Sequence, residues 1–267
     1  FRLLVLGSFC AMKTITPLGR DHHVSSGIVC RIMEQMRYPK PAFLPRTIAI
    51  DEFRGNVGEK FQCLLVDPQH HTVLDVLPTR NSEDLHAYFN QYPMKMRKKV
   101  RYIIMDLSSQ FYSVMRSCFP NAKIIADKFH VVRLITWALD KVRKKVQKNF
   151  AKNRRISFKR SKALLLKHSA ELTEEEMDRV AIMLSVSDEL RLAYRLKELF
   201  NDVIASKTRR HFKARYMWFK HEAEEYEIEE VMKHIATFEK WIKEIERSCG
   251  IGVTNGFIEG CNCRTKV

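Results

Sequence analysis

The feature that most limits what this chain can fold into is an alternation of short apolar runs followed by a long stretch without any. TIAIDEF (47–53), KFQCLLVD (60–67) and TVLDVL (72–77) are rich in β-branched and aromatic residues and read as strands, the second and third joined by a PQHH turn. SEDLHAYFNQY reads as a short helix with Ser82 as its N-cap. VRYIIMDL is a fourth strand, SSQFYSVMRSCF a helix and AKIIAD a fifth strand. Strands joined by helical crossovers are parallel neighbours, whereas the first three form a meander. The order β-β-β-α-β-α-β therefore predicts an α/β fold built on a mixed five-stranded sheet, the skeleton of an RNase H-like domain.

In such a sheet Asp51 falls near the end of the first strand and Asp106 at the end of the fourth. Both follow apolar runs, so both carboxylates are expected at one edge, where open α/β sheets place their ligands. Two ionised carboxylates held close together repel, and one takes up a proton unless a cation intervenes. A third carboxylate completes a cage for divalent ions, and oxygen ligands select hard ions, with Mg²⁺ expected and Mn²⁺ as its substitute.

Residues 129 to about 247 carry almost no strand signal and divide into about five helices, among them VVRLITWALDKVRKKVQKNF, a helix opened by a Thr173/Glu176 capping box, SDELRLAYRLKELFNDVIA, and two more over about 207–225 and 227–247. Their leucine and aromatic stripes read as packed helical core. Residues 1–40 read as a helix-turn-helix-like segment whose second helix starts after Ser25 or Ser26 and turns Ile28, Val29, Ile32, Met33 and Met36 to one face. A plain helical hairpin fits the pattern equally. The prolines that follow rule out regular helix and make 41–46 a linker.

Lys and Arg number 47 against 31 Asp and Glu, a net charge of +16, and a surface that basic attracts nucleic acid. The densest basic run includes Arg143, Lys144, Lys145, Lys148, Arg154 and Arg155. A solvated face and a phosphate contact both account for it, and the overall charge favours phosphate. The seven cysteines are scattered without a CxxC pair, which speaks against a disulfide framework or a zinc ribbon and for a reducing compartment. The opening apolar residues are too few to span a bilayer, so no membrane role is expected. The absence of an initiating Met and the stop at Val267 suggest a fragment.

Three blocks carry more than periodicity: IAIDEF (48–53), IIMDLSSQFYSVMRSCFPNAKIIADKFHVVRL (103–134) and TNGFIEGCNCRTKV (254–267). They resemble the successive blocks of the ISL-three family of bacterial insertion-sequence transposases, within the class whose active site is Asp-Asp-Glu. The resemblance runs from about residue 47 to the end. It implies a catalytic domain over 47–267, interrupted by an all-helical insertion at about 140–250 before the last core helix. It implies that Asp51, Asp106 and Glu259 hold the metal, and Glu259 is identifiable by the resemblance alone. ADKFH matches a further block and implies a supporting role for Asp127 and His130. The activity implied is Mg²⁺-dependent cleavage at transposon ends and strand transfer to target DNA, by an oligomer on DNA in the bacterial cytoplasm, associated with the nucleoid. Family members also carry a zinc-binding segment and continue past the glutamate. Two alternatives stay open at this point: a structure-selective nuclease on the same fold, and an inactive or truncated transposase derivative that only binds DNA.

Overall fold

The computed structural model describes residues 15–34, 40–54, 61–151, 155–156, 158, 162–249, 257–258 and 260–261. The chain divides between Ala42 and Phe43 into two compact units.

The first unit holds α1 (Ile15–Asp21) and α2 (Ser26–Glu34). Leu18 and Val29 are fully buried between them, with Ile15, Val24 and Ile32 packed alongside. Ser25 caps α2 by accepting from the Ile28 N–H. The turn is tight: His23 adopts φ 54°, and a Cβ on Gly19 would stand 2.8 Å from the Val24 carbonyl oxygen, so only glycine fits there. Ile28, expected on the inner face, is 38 % exposed. The side chains of Met33 and Met36 lie outside the described residues.

The second unit is built on a five-stranded sheet of order β3-β2-β1-β4-β5, with β1 (Thr47–Arg54) central. β2 (Phe61–Asp67) and β3 (Thr72–Leu77) continue antiparallel from it, whereas β4 (Tyr102–Met105) and β5 (Lys123–Ala126) run parallel to it. The mixed sheet read from the element order is therefore the one observed. Between its strands lie α3 (Ser82–Asn90), a short α4 (Met94–Arg97) absent from the sequence reading, and α5 (Ser109–Cys118). Ser82 does not cap α3. The N-cap position is Asn81, and Thr79 organises the entry instead, accepting from the Asn81 N–H and donating to Asp84.

Period-two alternation sorts the strand residues onto two faces. Ile48, Ile50, Ile103, Met105, Ile124 and Ala126 join the large core shared with the helices. Ala49, Phe53, Leu64, Val66, Ile104 and Ile125 form a smaller core on the other face, closed by the fully buried Ile258 with Phe257 and Cys261.

After β5 the chain is helical among the described residues: α6 (Lys128–Gln147), α7 (Lys162–Leu166), a 3₁₀ turn (Ser169–Glu171), α8 (Glu174–Leu184), α9 (Asp188–Ile204), α10 (Arg209–Tyr226), α11 (Glu229–Lys240) and α12 (Ile242–Ser248). The Thr173/Glu176 capping box is present at the start of α8. The expected helix over 227–247 is two helices broken at Trp241. Phe200, Phe219 and Phe238 meet at the centre, with the Phe200 and Phe238 rings stacked at 4.5 Å. The α12 helix brings the chain back to the sheet, where the Arg247 guanidinium donates to the Ile124 carbonyl of β5. Among the described residues no helix is long and apolar enough to cross a membrane.

Candidate metal centre at the sheet rim

The three parallel strands end in step. Ala49 pairs with Ile104 and Ile104 with Ile125, so two residues further along each strand Asp51, Asp106 and Asp127 come level. The Asp127 N–H donates to the Met105 carbonyl at 2.8 Å and carries the ladder to this point. By the same alternation all three aspartates share the parity of Ala49, Ile104 and Ile125, the face that Phe257, Ile258 and Cys261 cover. Asp51 is not near the end of its strand, as the sequence suggested. β1 runs on to Arg54 because it keeps pairing with β2 after β4 has ended.

Asp127 accepts from the Phe129 N–H as the N-cap of α6, and its other oxygen meets His130 Nδ1 at 2.6 Å. The same Nδ1 lies 2.6 Å from Asp106 Oδ1. Two carboxylate oxygens that close require Nδ1 to carry its proton, and one N–H cannot point along both directions. It serves Asp127. Asp106 Oδ1 is buried and accepts no hydrogen bond among the described residues. The His130 charge beside it offsets part of the cost of burying it, but no N–H among the described residues is directed at it.

The electrostatics reflect the crowding. Burial, then the Asp106 carboxylate, push Asp51 up to about 7, against a smaller opposing pull from His130. Burial pushes the His130 imidazole down, but its contacts with Asp106 and Asp127 outweigh that and carry it up to about 10. Ligand atoms of Asp51, Asp106 and His130 all lie within 4.8 Å of one another. A small divalent cation fits this donor set: two hard oxygen ligands, one of them lacking a hydrogen bond, held together against their own repulsion. Asp51 and Asp106 could hold such an ion as they stand, whereas the His130 imidazole must give up its proton before it can ligate. Glu259 lies outside the described residues, although its neighbours Ile258 and Gly260 are helical and Ile258 packs against the aspartate-bearing face.

The basic run is distributed unevenly. Arg143 is 2 % exposed, its guanidinium bonded to Asp140 and Gln147, so it is removed from the candidate phosphate contacts. A phosphate could reach it only by displacing Asp140. Lys144 also contacts Asp140 and Lys145 contacts Glu189, but both ammonium groups are largely exposed. Lys148 and Arg155 are exposed, and Arg154 lies outside the described residues. Trp137, in a helix whose aromatic stripe reads as packed core, is 51 % exposed, and so is Phe129 one turn before that helix's Arg133.

A family model described as a transposase, of the DDE type and the ISL-three family, matches residues 48–267. The chain is 27 % identical over 154 residues to the transposase for insertion sequence element IS1001 of Bordetella parapertussis, covering 57 % of this chain and 38 % of that protein. It is 22 % identical over 245 residues to the transposase for insertion sequence element IS1557 of Mycobacterium tuberculosis, covering 83 % of this chain and 55 % of that protein. The chain thus spans about half or less of the length of these curated relatives.

Proposed function

The chain belongs to the ISL-three family of transposases, and from that premise we propose that its sheet rim is an RNase H-like active site for metal-dependent cleavage of DNA at transposon ends and transfer of the freed end to target DNA. The observation that carries this is the level placement of Asp51 and Asp106 on one face of the sheet, with a buried Asp106 oxygen that no hydrogen bond satisfies.

In this reading Asp51, Asp106 and Glu259 hold Mg²⁺, with Mn²⁺ as substitute. Bound there, the metal supplies Lewis-acid activation of the attacking oxygen and stabilises charge on the scissile phosphate. The chain's own residues prepare the site. Parallel pairing of β1 with β4 fixes the separation of the two carboxylates. His130, anchored by Asp127 at the start of α6, holds a positive charge against Asp106 and keeps that carboxylate ionised. It acts as a positioning residue. Exposed Lys144, Lys145, Lys148 and Arg155 hold DNA through phosphates, so binding weakens with salt. The two-helix first unit serves as a second DNA contact, and joining two transposon ends calls for an oligomer on DNA.

Asp106→Asn tests the reading. It should abolish Mg²⁺-dependent strand cleavage in the transposase while DNA binding survives. Unchanged cleavage would sink it. Supplying a pre-cut end and a target plasmid separates the rival nuclease, which cuts without joining.

A further inference from the structure

The α6 helix leaves the acidic rim with Phe129, Arg133 and Trp137 at four-residue intervals on its outer side. Val131, Ile135, Ala138, Leu139 and Val142 supply its buried face, so the exposed rings are not needed to seat the helix. A single exposed aromatic is ordinary. Here two of them bracket a guanidinium: Arg133 lies 5.8 Å from the Phe129 ring centre and 4.8 Å from that of Trp137. Arg133 makes no ion pair among the described residues, and its Nε is buried without a hydrogen-bond partner. The positive charge is thus held in place by the rings and left uncompensated. The ladder starts at the rim itself, where the Phe129 ring meets the His130 imidazole edge-on at 5.8 Å.

The backbones of Phe129 and Trp137 are offset by about 12 Å along the helix, and the rings lean towards each other over the guanidinium between them. Arg133 occupies the space between the rings, so a strand must lay separate bases on them. At about 100° per residue, Lys144 and Lys148 follow about 20° and about 60° round from Arg133, which continues the positive face away from the rim. Aromatic faces have nothing to offer a duplex, whose base faces are already stacked. They suit unpaired nucleotides, whose bases are free to stack while a guanidinium takes the phosphate between them.

We propose that the Phe129–Arg133–Trp137 face binds unpaired DNA nucleotides next to the phosphate presented at the acidic rim, with bases stacking on Phe129 and Trp137 and Arg133 contacting the backbone. This rests on the rim being the site of phosphodiester chemistry. The net charge of +16 and the unneutralised Arg133 favour a polyanion over an apolar protein partner for the same face.

The test is fluorescence anisotropy of this chain with a labelled oligo-dT and with a duplex of equal length, in EDTA so that cleavage plays no part. Phe129→Ala and Trp137→Ala should each weaken single-strand binding by about tenfold and change duplex binding by less than about twofold. Trp137→Phe, which keeps a stacking ring, should recover most of the loss. Trp218→Ala, removing a tryptophan of similar exposure on α10, should alter neither. Unchanged melting temperatures verify folding, as expected for exposed positions. Equal losses on single strand and duplex, or no loss on the single strand, overturn the proposal. So does a wild-type dimer that Trp137→Ala dissociates without affecting oligonucleotide binding, because the face then belongs to a second copy. Persistent cleavage by Asp106→Asn would instead remove the catalytic reading of the rim, and would leave the stacking losses to be judged on their own.

Discussion

The two ends of the parallel strands carry opposite charge and meet water in opposite ways. Arg46 precedes β1, Arg101 precedes β4 and Lys123 opens β5, linked by backbone bonds from Arg101 N–H to Arg46 and from Lys123 N–H to Arg101. All three are exposed, and Arg46 and Arg101 line a hollow of about 680 Å³ with Lys98, Lys99 and Asn121. At the other end Asp51 and Asp127 are 4 % and 2 % exposed, and the carboxylates converge. Spread charges in water repel weakly and cost the fold little. Converging charges that are buried cost it a good deal, and the sheet keeps them. Like charge is tolerated at the basic end for want of any penalty, and at the acidic end because a cation is expected to share it.

The largest effect is expected at the acidic end. Asp51→Asn should lower Mg²⁺-dependent cleavage by about a thousandfold or more, several kcal/mol on the activation barrier. It should also remove Mn²⁺ binding seen by titration calorimetry. Unaltered Mn²⁺ affinity would mean that the carboxylates converge for some other reason.

The next largest effect contrasts this rim with a buried acid in the helices. Asp140, 5 % exposed, is satisfied by Arg143, Lys144 and Lys162, whose contacts hold its carboxyl below the usual range in spite of burial. Arg143→Met should cost about 3 kcal/mol of stability by leaving Asp140 without its buried partner. Asp106→Asn should cost less, because the repulsion from Asp51 that it relieves offsets the His130 contact that it gives up. Denaturant unfolding of both variants decides, and equal destabilisation would erase the distinction between a structural and a functional buried acid.

Much of the rim was legible beforehand. Asp51, Asp106 and Asp127 each follow an apolar residue two places back on the same face, and that alternation is local. Parallel pairing followed from the helical crossovers. The mutual level of the strands did not, because β1 outruns β4 only through its pairing with β2. Arg143 was misread because a basic run looks alike whether or not one member turns inward, and burial here depends on Asp140 lying one turn away on the packed side. Trp137 reads as core because apolar character does not reveal which helix face has a neighbour. Glu259 came from the family resemblance alone: nothing in the spacing of acidic residues singles it out.

The pH response of the metal-free chain sharpens the same contrast. Asp51 titrates near 7 when folded against a usual 3.8, so the folded state holds the proton more tightly. Its contribution is full below the unfolded value, shrinks as pH rises, and is gone once pH passes about 7. His130, raised from 6.5 to about 10, acts in the same direction at higher pH. The melting temperature of the wild type relative to Asp51→Asn should therefore fall between about pH 4 and about pH 7, and Mg²⁺ should recover more of it at the higher pH. A difference that stays flat with pH would show that Asp51 is not a strained, buried acid.

The smallest effect is expected at the basic end, and its smallness is the point. Arg101→Gln and Lys98→Gln remove charges that are exposed and that form no ion pair among the described residues. Each should shift the melting temperature by less than about 2 °C, the range of ordinary surface substitutions in a chain this size. Raising the salt concentration should flatten even that difference, since screening acts most on exposed charges. A large stabilisation on removing either charge would mean that the basic end is strained as well. Charge convergence would then no longer set the acidic rim apart, and the case for a cation there would rest on the unsatisfied Asp106 oxygen alone.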